Sequence, residues 1–404
     1  MLNLTYEFKL KPTEKQVAIF EDWLEQCRRV YNYALAERKH WFGSRNCQIN
    51  ACSIRSEFII PAETKRPTYA SQCNALTVYR KTSVALQQVQ SQVLQQTLKR
   101  LERAFVSMWE QSHGFPRFKK PGNMRSFVFP QLGVNSVQNQ AVKLPKIGLV
   151  KFHQSRSIPD GATIKQARRV CRTSGWYVML TLQWNVSVPS AMPHGEGLGI
   201  DVGLTNFMAT SNGLLIKRQR FFIDAQRKLK LLQQRVSRKK LGSNNWKKAQ
   251  KKVARLYEYI ANSRKDWHWK LAHQICENAG MIFVEDLNLI GLSRAMLGKH
   301  CLDAGWGQFL TILEQVCFKH GAYFQKVSAH KTSQFCPNCG VETGKKELSE
   351  RVHSCSSCGY TTDRDIAAAQ VVLIRGLAAV EHTVKMLGEG KFVGIPASQE
   401  SPRL

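Results

Sequence analysis

The sequence predicts a multidomain chain of mixed class: a β-rich N-terminal half with helices set into it, then an α/β half carrying a small cysteine-stapled ribbon. Three observations predict this. The chain has 404 residues, 43% of them hydrophobic, which is too long for one compact domain and apolar enough to bury two or three cores. Its first half mixes period-two apolar alternation with two long stretches of helical period. Its second half alternates apolar strand-like runs with helical segments and ends in two paired Cys-x-x-Cys units.

Within the first half, Leu2 to Lys11 alternates polar and apolar residues and stops at Pro12, which reads as a strand. A helix is expected over about 13–42, with Thr13 as N-cap and Gln16 completing a capping box. A second long amphipathic helix is expected over about 81–109. Three strand-like stretches follow, "RSFVFP", "AVKLPKIGLVKFH" and "GWYVMLTLQWNV". A helical hairpin set into a small barrel or sheet accounts for this order. Residues 187–197, "SVPSAMPHGEG", form a Pro/Gly/Ser linker and the main boundary. Beyond it, "LGIDVGLTNFMATSNGLLI" reads as two strands joined by a Ser-Asn-Gly turn, 222–278 as mostly helical, and "MIFVEDLNLIGL" as a short buried strand. A helix runs from about Asp365 to Met386, and residues 387–404 read as a disordered tail.

Charge narrows the class of partner. Lys plus Arg is 59 and Asp plus Glu is 29, a net +30. Such an excess repels itself unless a polyanion binds it, so nucleic acid is the default partner. No amphipathic basic helix with an apolar aromatic face stands at either end, which disfavours a membrane surface. No run of eighteen apolar residues and no signal-peptide block is present, so a cytoplasmic protein is expected. Eight of the twelve cysteines are scattered and read as free thiols: Cys27, Cys47, Cys52, Cys73, Cys171, Cys276, Cys301 and Cys317.

The other four, Cys336, Cys339, Cys355 and Cys358, have the spacing C-x2-C-x15-C-x2-C, and Gly340 and Gly359 directly follow the second and fourth. Two such knuckles bring four thiolates around one zinc ion, with the glycines permitting each tight turn. All four positions being filled, the zinc is expected to be structural.

Three acids stand out in so basic a chain. Asp201 lies in Gly199-Ile200-Asp201-Val202-Gly203, where alternation places Ile200 and Val202 on one face and Asp201 on the other with two glycines. Those glycines are expected to leave room for a phosphate backbone and a metal ion. Glu285 ends the apolar run Met281 to Val284, and Asp365 opens a helix in "TDRDIAAAQ". Asp286 reads as a structural or exposed acid, and Asp363 and Asp365 could each cap that helix. Two hard divalent cations, Mg2+ or Mn2+, need about three shared carboxylates for in-line phosphodiester hydrolysis. A strand Asp, a second strand's Glu and a helix Asp is the arrangement of RNase H-like nucleases.

With these motifs in view, the chain resembles the TnpB (OrfB-like) family of insertion-sequence proteins, relatives of compact type V CRISPR nucleases. The resemblance rests on "YEFKLKPTEKQ", "CRRVYNYAL", "SQVLQQTLKRLERAF", "GFPRFKKPGNMRSFVF", "LPKIGLVKF", "GWYVMLTL", "GIDVGLTNF", "VEDLNLIGL", "TSQFCPNCG" and "CGYTTDRDIAAAQ". It implies a wedge-like β-barrel with an inserted helical recognition domain over 1–186. It implies a RuvC-type, RNase H-like nuclease over 198–386 with a zinc ribbon at about 330–362. The implied activity is guided cutting of double-stranded DNA beside a short flanking motif in a prokaryotic cell, near the nucleoid. The implied partners are a guide RNA from the element's end and the DNA target. Asp201, Glu285 and Asp365 are then the catalytic acids. The family's usual Asp-x-Asn-Ala-Ala is altered here, Ala367 standing in place of Asn.

Residues 217–265 contain seventeen Lys/Arg and two acids, Asp224 and Glu258, so internal ion pairing cannot balance them. Arg235, Arg238, Lys239, Lys240, Lys247, Lys248, Lys251, Lys252 and Arg255 are expected to line a channel for an RNA–DNA duplex, touching phosphates. Trp246, Trp267 and Trp269 either stack on bases or pack in the core. Gln92, Gln95, Gln96 and Lys99 recur at helical spacing, and glutamine can read adenine edges, so this helix is either a reader of the flanking motif or a solvated polar face, and Ser126 and Phe127 are further candidate readers. Two other functions use the same acids or none of them: a transposase joining DNA strands without RNA, and a cleavage-deficient RNA-guided DNA-binding protein. Monomer and dimer both fit the sequence.

Overall fold

A computed structural model describes residues 2–45, 60–61, 63–133, 136–186, 191–347 and 349–386, the last six by backbone alone. The chain divides into two compact units, Met1–Val188 and Pro189–Leu404. The disordered tail expected over 387–404, Cys47 and Cys52 lie outside the described residues. Among the described residues no helix is long and apolar enough to cross a membrane.

The first unit is built on a seven-stranded antiparallel sheet. Its strands are β1 (Leu2–Lys11), β2 (Ser126–Phe129), β3 (Val137–Gln138), β4 (Ala141–Leu144), β5 (Gly148–His153), β6 (Thr163–Arg172) and β7 (Gly175–Trp184). They follow the order β2-β6-β7-β1-β5-β4-β3. Between β1 and β2 run α1 (Glu14–Arg45), α2 (Tyr69–Thr82), α3 (Val84–Gln88) and α4 (Ser91–Glu110). The expected capping box forms at the start of α1: Thr13 N donates to Gln16 Oε1 at 3.1 Å, and Gln16 N to Thr13 Oγ1 at 3.3 Å. The single helix expected over 81–109 is instead broken into the end of α2, all of α3, and α4. Ser83 takes an extended conformation and its hydroxyl caps α3, and Val89 is extended as well. Serine competes for backbone donors better than it continues a helix.

Alternation along the strands and the apolar stripes of α1 and α4 build one core, with Phe8, Phe20, Trp23, Leu94, Leu98, Leu101, Phe105, Phe129 and Phe152 all buried. Strand β6 went unforeseen, because Lys165, Arg168, Arg169 and Arg172 break its apolar alternation. Arg169 is fully buried nonetheless, its guanidinium 3.6 Å from the Trp176 ring centroid and within 5 Å of those of Phe20 and Phe127.

The second unit holds a five-stranded sheet with helices on both faces. Strands β8 (Gly197–Val202), β9 (Asn206–Thr210) and β10 (Leu215–Lys217) form an antiparallel meander, three strands where two were expected; the Ser211-Asn212-Gly213 turn joins the last two. Next come α5 (Phe221–Ser237) and α6 (Asn244–Cys276), then β11 (Met281–Asp286). Helices α7 (Leu289–Arg294), α8 (Gly298–Ala304) and α9 (Trp306–His320) follow, then β12 (Tyr323–Ser328). The ribbon contributes β13 (Val352–Ser354) and β14 (Thr361–Asp363), and α10 (Arg364–Met386) ends the unit. The sheet order is β10-β9-β8-β11-β12, with β11 parallel to both β8 and β12. Ile200, Ile282 and Val284 face a core made with α6 and α9, through Leu271, Ile275, Phe309 and Leu313. Phe283 faces the other way, onto α10 at Val372 and Val380.

Candidate active site and metal centre

Register alone brings two acids together. The parallel pairing sets Phe283 beside Gly199 and Val284 beside Ile200, so one step on places Glu285 beside Asp201. Adjacent strands lie about 4.8 Å apart. Ile200 and Val284 point into the α6/α9 core, so both acids point to the face covered by α10. Asp365 stands in the first turn of that helix. The helix start is capped by Asp363, whose Oδ1 accepts from Asp365 N at 2.8 Å and from Ile366 N at 3.4 Å. Asp363 thus takes the capping role, and Asp365 is free to face the strands. Asp286 is exposed.

Helix α10 can lie this close because of Gly199. A Cβ there would meet Ala369 O at 2.1 Å and Leu373 N at 2.7 Å. This corrects the expectation that the glycines beside Asp201 leave room for phosphate: the space at Gly199 is filled by helix backbone. Ala367, Ala368 and Ala369 are all buried along the same stretch, small enough to permit the approach.

Charge behaviour marks the site. Packing around the Asp201 carboxyl, followed by the negative charges of Glu285 and Asp365, pushes it well above the usual carboxylate range. Some of the residue's surface stays open to solvent, so it is densely surrounded without being sealed. Glu285 is also raised by burial, and hydrogen bonds from Thr332 and Asp201 oppose the rise. The two acids therefore act on each other in opposite senses, Glu285 raising Asp201 and Asp201 lowering Glu285. Arg364 eases the charge at Asp201, and Arg375 does so at Glu285.

Two neutral side chains that the sequence did not single out hold the acids. Asn206 Nδ2 donates to Asp365 Oδ2 at 3.3 Å, and Thr332 Oγ1 donates to Glu285 Oε1 at 2.5 Å. The asparagine amide missing at Ala367 thus has a counterpart on β9.

The four ribbon cysteines converge as their spacing requires. Their sulfurs all lie within 4.8 Å of one another, with Cys336–Cys358 and Cys339–Cys355 both at 3.6 Å. A tetrahedral zinc site with ~2.3 Å bonds needs sulfurs about 3.8 Å apart, so the set fits. The knuckles are near-copies. Gly340 N donates to Cys336 O at 2.9 Å and Gly359 N to Cys355 O at 2.8 Å, with the two glycines at φ 73° and 74°. The backbone N–H of Tyr360 and the Asn338 amide pull the Cys358 thiol down to about 6, towards the thiolate a metal needs.

Arg235, Arg238, Lys239, Lys240, Lys247, Lys248, Lys251, Lys252 and Arg255 are all exposed. They stand on the α5/α6 hairpin, which closes on Leu229, Val253, Leu256 and Ile260. Buried Asp303, also missed in the sequence, starts α5 by accepting from Phe222 N at 2.7 Å and Ile223 N at 3.3 Å. Trp267 and Trp269 pack against the core, Trp267 edge-on to Phe207, and Trp246 is partly buried. Gln92, Gln95 and Gln96 are half-buried on α4, Gln92 bonding Gln131 at 3.3 Å, and Lys99 is exposed. Phe127 is no reader of bases: it is buried against Phe20 and Trp23. Ser126 accepts from Arg100 at 3.4 Å.

Three family profiles match in chain order: "Helix-turn-helix domain" of OrfB_IS605 over 1–47, "Probable transposase" OrfB_IS605 over 182–296, and the Cas12f1-like TNB domain over 306–372. Over two of these segments, 1–47 and 182–296, the chain is similar to OrfB (TnpB-like) proteins. The segment matched by the first profile folds as β1 and the single long helix α1. An Escherichia coli (strain K12) protein named "Putative RNA-guided DNA endonuclease InsQ" is 29% identical over 98% of this chain and 96% of its own. A Streptomyces pristinaespiralis protein carrying the same description, without the designation InsQ, is 29% identical over 93% of this chain and 89% of its own. Among solved structures, a mini-RNA-guided endonuclease, CRISPR-Cas_phi3, aligns with 94% of this chain and 92% of its own at 11% identity and TM-score 0.41.

Proposed function

We propose that this chain is a member of the OrfB (TnpB-like) family and an RNA-guided, metal-dependent DNA endonuclease of a transposable element, cutting double-stranded DNA beside a short flanking motif in a prokaryotic cytoplasm. The observation that carries the reading is the meeting of Asp201, Glu285 and Asp365 at the C-terminal ends of two adjacent interior strands, β8 and β11. The sheet order, a three-strand meander followed by two parallel strands, supports an RNase H-like, RuvC-type nuclease over the second unit. Relatives matched along nearly their whole length, and named as RNA-guided endonucleases, support the guided mode. The first unit serves as wedge and recognition domain.

The donor set fits hard divalent cations: three carboxylates, two of them on adjacent parallel strands one step beyond the Val284–Ile200 pair. Mg2+ or Mn2+ bound there supplies the Lewis acidity for phosphodiester hydrolysis. The protein's share is positional. The β8/β11 register fixes the spacing of two acids, α10 presents the third, and the Asn206 and Thr332 bonds orient two of the three carboxylates. The four-cysteine ribbon holds a structural zinc. The exposed lysines and arginines of α5 and α6 take the phosphates of a guide RNA and target DNA.

The test is plasmid cleavage by the purified chain with its co-purifying RNA and Mg2+. Asp201→Ala should abolish cutting and leave target binding intact. Cutting by Asp201→Ala would refute the site, and cutting that needs no discrete RNA would refute the guided mode.

A further inference from the structure

The segment between β12 and the first ribbon knuckle contains none of the three acids, yet it is anchored on both sides. Lys331, a non-glycine residue, stands at φ 56°, in the left-handed region. That turn sends Thr332 inward, where it is buried and donates through Oγ1 to Glu285 Oε1 at 2.5 Å. Backbone strain of this kind persists only where its surroundings enforce it.

The surroundings are two anchors. On one side, Arg375 of α10 donates from Nη1 to the carbonyls of Ser328 and His330, both at 2.8 Å, and lies over the Phe335 ring. On the other side the ribbon is stitched to the same segment. Lys331 Nζ pairs with Glu342 Oε1 at 2.6 Å, and Thr343 bonds Gln334 O through both its N–H, at 2.7 Å, and its hydroxyl, at 3.0 Å. Glu342 and Thr343 follow the first knuckle directly.

We propose that Thr332 is a positioning residue for Glu285, and that through it the four-cysteine ribbon tunes how tightly the acids hold a divalent cation. The hydroxyl occupies one lone pair of Oε1 and fixes the carboxylate plane, leaving the remaining lone pairs directed at the space shared with Asp201 and Asp365. A donor to an ionised carboxylate favours the form that binds cations. Losing a hydrogen-bond partner that orients a metal ligand typically weakens metal affinity by about 10–100-fold. The inference rests on the reading that these acids bind the catalytic cations.

The test uses the full chain with its ribbon loaded with zinc, and Mn2+ as probe, read by the electron paramagnetic resonance of free Mn2+. Thr332→Val, which keeps the shape and loses the hydroxyl, should raise the Mn2+ dissociation constant about tenfold or more. Thr332→Ser should stay within about threefold of the parent. In cleavage, Thr332→Val should need correspondingly more Mn2+ for half-maximal rate and recover most of the rate at saturation. Mn2+ binding by Thr332→Val equal to the parent, or by Thr332→Ser as weak as by Thr332→Val, would overturn the role of the hydroxyl. Cys355→Ser should weaken Mn2+ binding in the parent and add little in the Thr332→Val background, whereas additive losses would overturn the coupling. Asp201→Asn separates the two readings: it must lose Mn2+ if the acids bind cations at all, so normal binding there would sink the site itself and not the role of Thr332 alone.

Discussion

Replacing Gly199 by alanine tests the central contact of the site without touching a charged group. The added Cβ would sit 2.1 Å from Ala369 O and 2.7 Å from Leu373 N, and 2.9 Å from Leu373 Cβ. A comfortable contact is about 3.5 Å, so the overlap exceeds 1 Å. Two of the three opposing atoms are helix backbone, so no rotamer change relieves it. Either α10 lifts off β8 by about 1 Å or the strand bends. Overpacking costs typically about 1–3 kcal/mol, and a backbone–backbone overlap belongs at the upper end, about 3 kcal/mol. For a unit spanning Pro189–Leu404 that corresponds to a fall of about 6–12 °C in Tm. Lifting α10 also draws Asp365 away from Asp201, and a displacement near 1 Å is worth about 100-fold in rate. Gly203→Ala is the control, since its Cβ would meet only Asn206 O, at 3.2 Å. Thermal melting with cleavage assays at saturating Mg2+ should show both losses in Gly199→Ala and small ones in Gly203→Ala. A Gly199→Ala chain that melts and cuts like the parent would refute the packing of α10 on β8 described above.

Two further outcomes are expected. His268 is fully buried among Phe207, Trp267 and Phe309, with Nε2 at 3.1 Å from Ala304 O, and burial drives it down to about 4 from 6.5. Because the folded chain binds this proton less well than the unfolded chain, the neutral ring's contribution, about 3 kcal/mol, is complete above pH 6.5 and lost as pH falls towards 4. Denaturant titrations of the parent and His268→Gln at several pH values should diverge by that amount over that window, and parallel curves would contradict the assignment. Replacing Lys247, Lys248, Lys251 and Lys252 with alanine should reduce the slope of log affinity for duplex against log salt by about 2–3.5, at about 0.9 for each phosphate no longer neutralised. An unchanged slope would place the duplex elsewhere.

How far each feature could be read from sequence follows from the physics of its signal. Asp201 and Glu285 were visible because an acid at the end of an apolar run is costly unless it has a purpose. The knuckles were visible because four thiols at fixed spacing have few other uses. Thr332 and Asn206 were not, since a buried hydroxyl or amide looks in sequence like any polar residue and only the partner across the fold reveals it. Asp303 was missed for the same reason: it caps a helix that begins some eighty residues earlier. Strand β6 was hidden because its buried position 169 is an arginine, solvated by aromatic rings in place of water. The break in 81–109 was hidden because no glycine or proline marks it and the apolar stripe runs on through Leu86, Val93 and Leu94. The meaning of Gly199 was misread because a strand glycine can admit a ligand or another backbone, and sequence does not distinguish them.

The chain order of the site has a physical reading once α10 is followed along its length. Its first turn supplies Asp365. Its next turn passes over Gly199, two residues from Asp201. Further on, Arg375 clamps the segment that carries Thr332, and Gly376 faces Phe283, two residues from Glu285, so closely that a Cβ would lie 2.1 Å from the ring's Cγ. Each strand that bears an acid therefore meets this one helix at a glycine, from the strand side at Gly199 and from the helix side at Gly376. The placement of the three carboxylates then depends on where α10 begins. Its start is set by β14, which leads out of the second knuckle and pairs with β13, Val352 opposite Asp363. A ribbon placed between Glu285 and Asp365 thus acts on both: through Thr332 on the acid before it, and through β14 and the Asp363 cap on the acid after it. A ribbon at either end of the chain could reach only one of them by so short a connection.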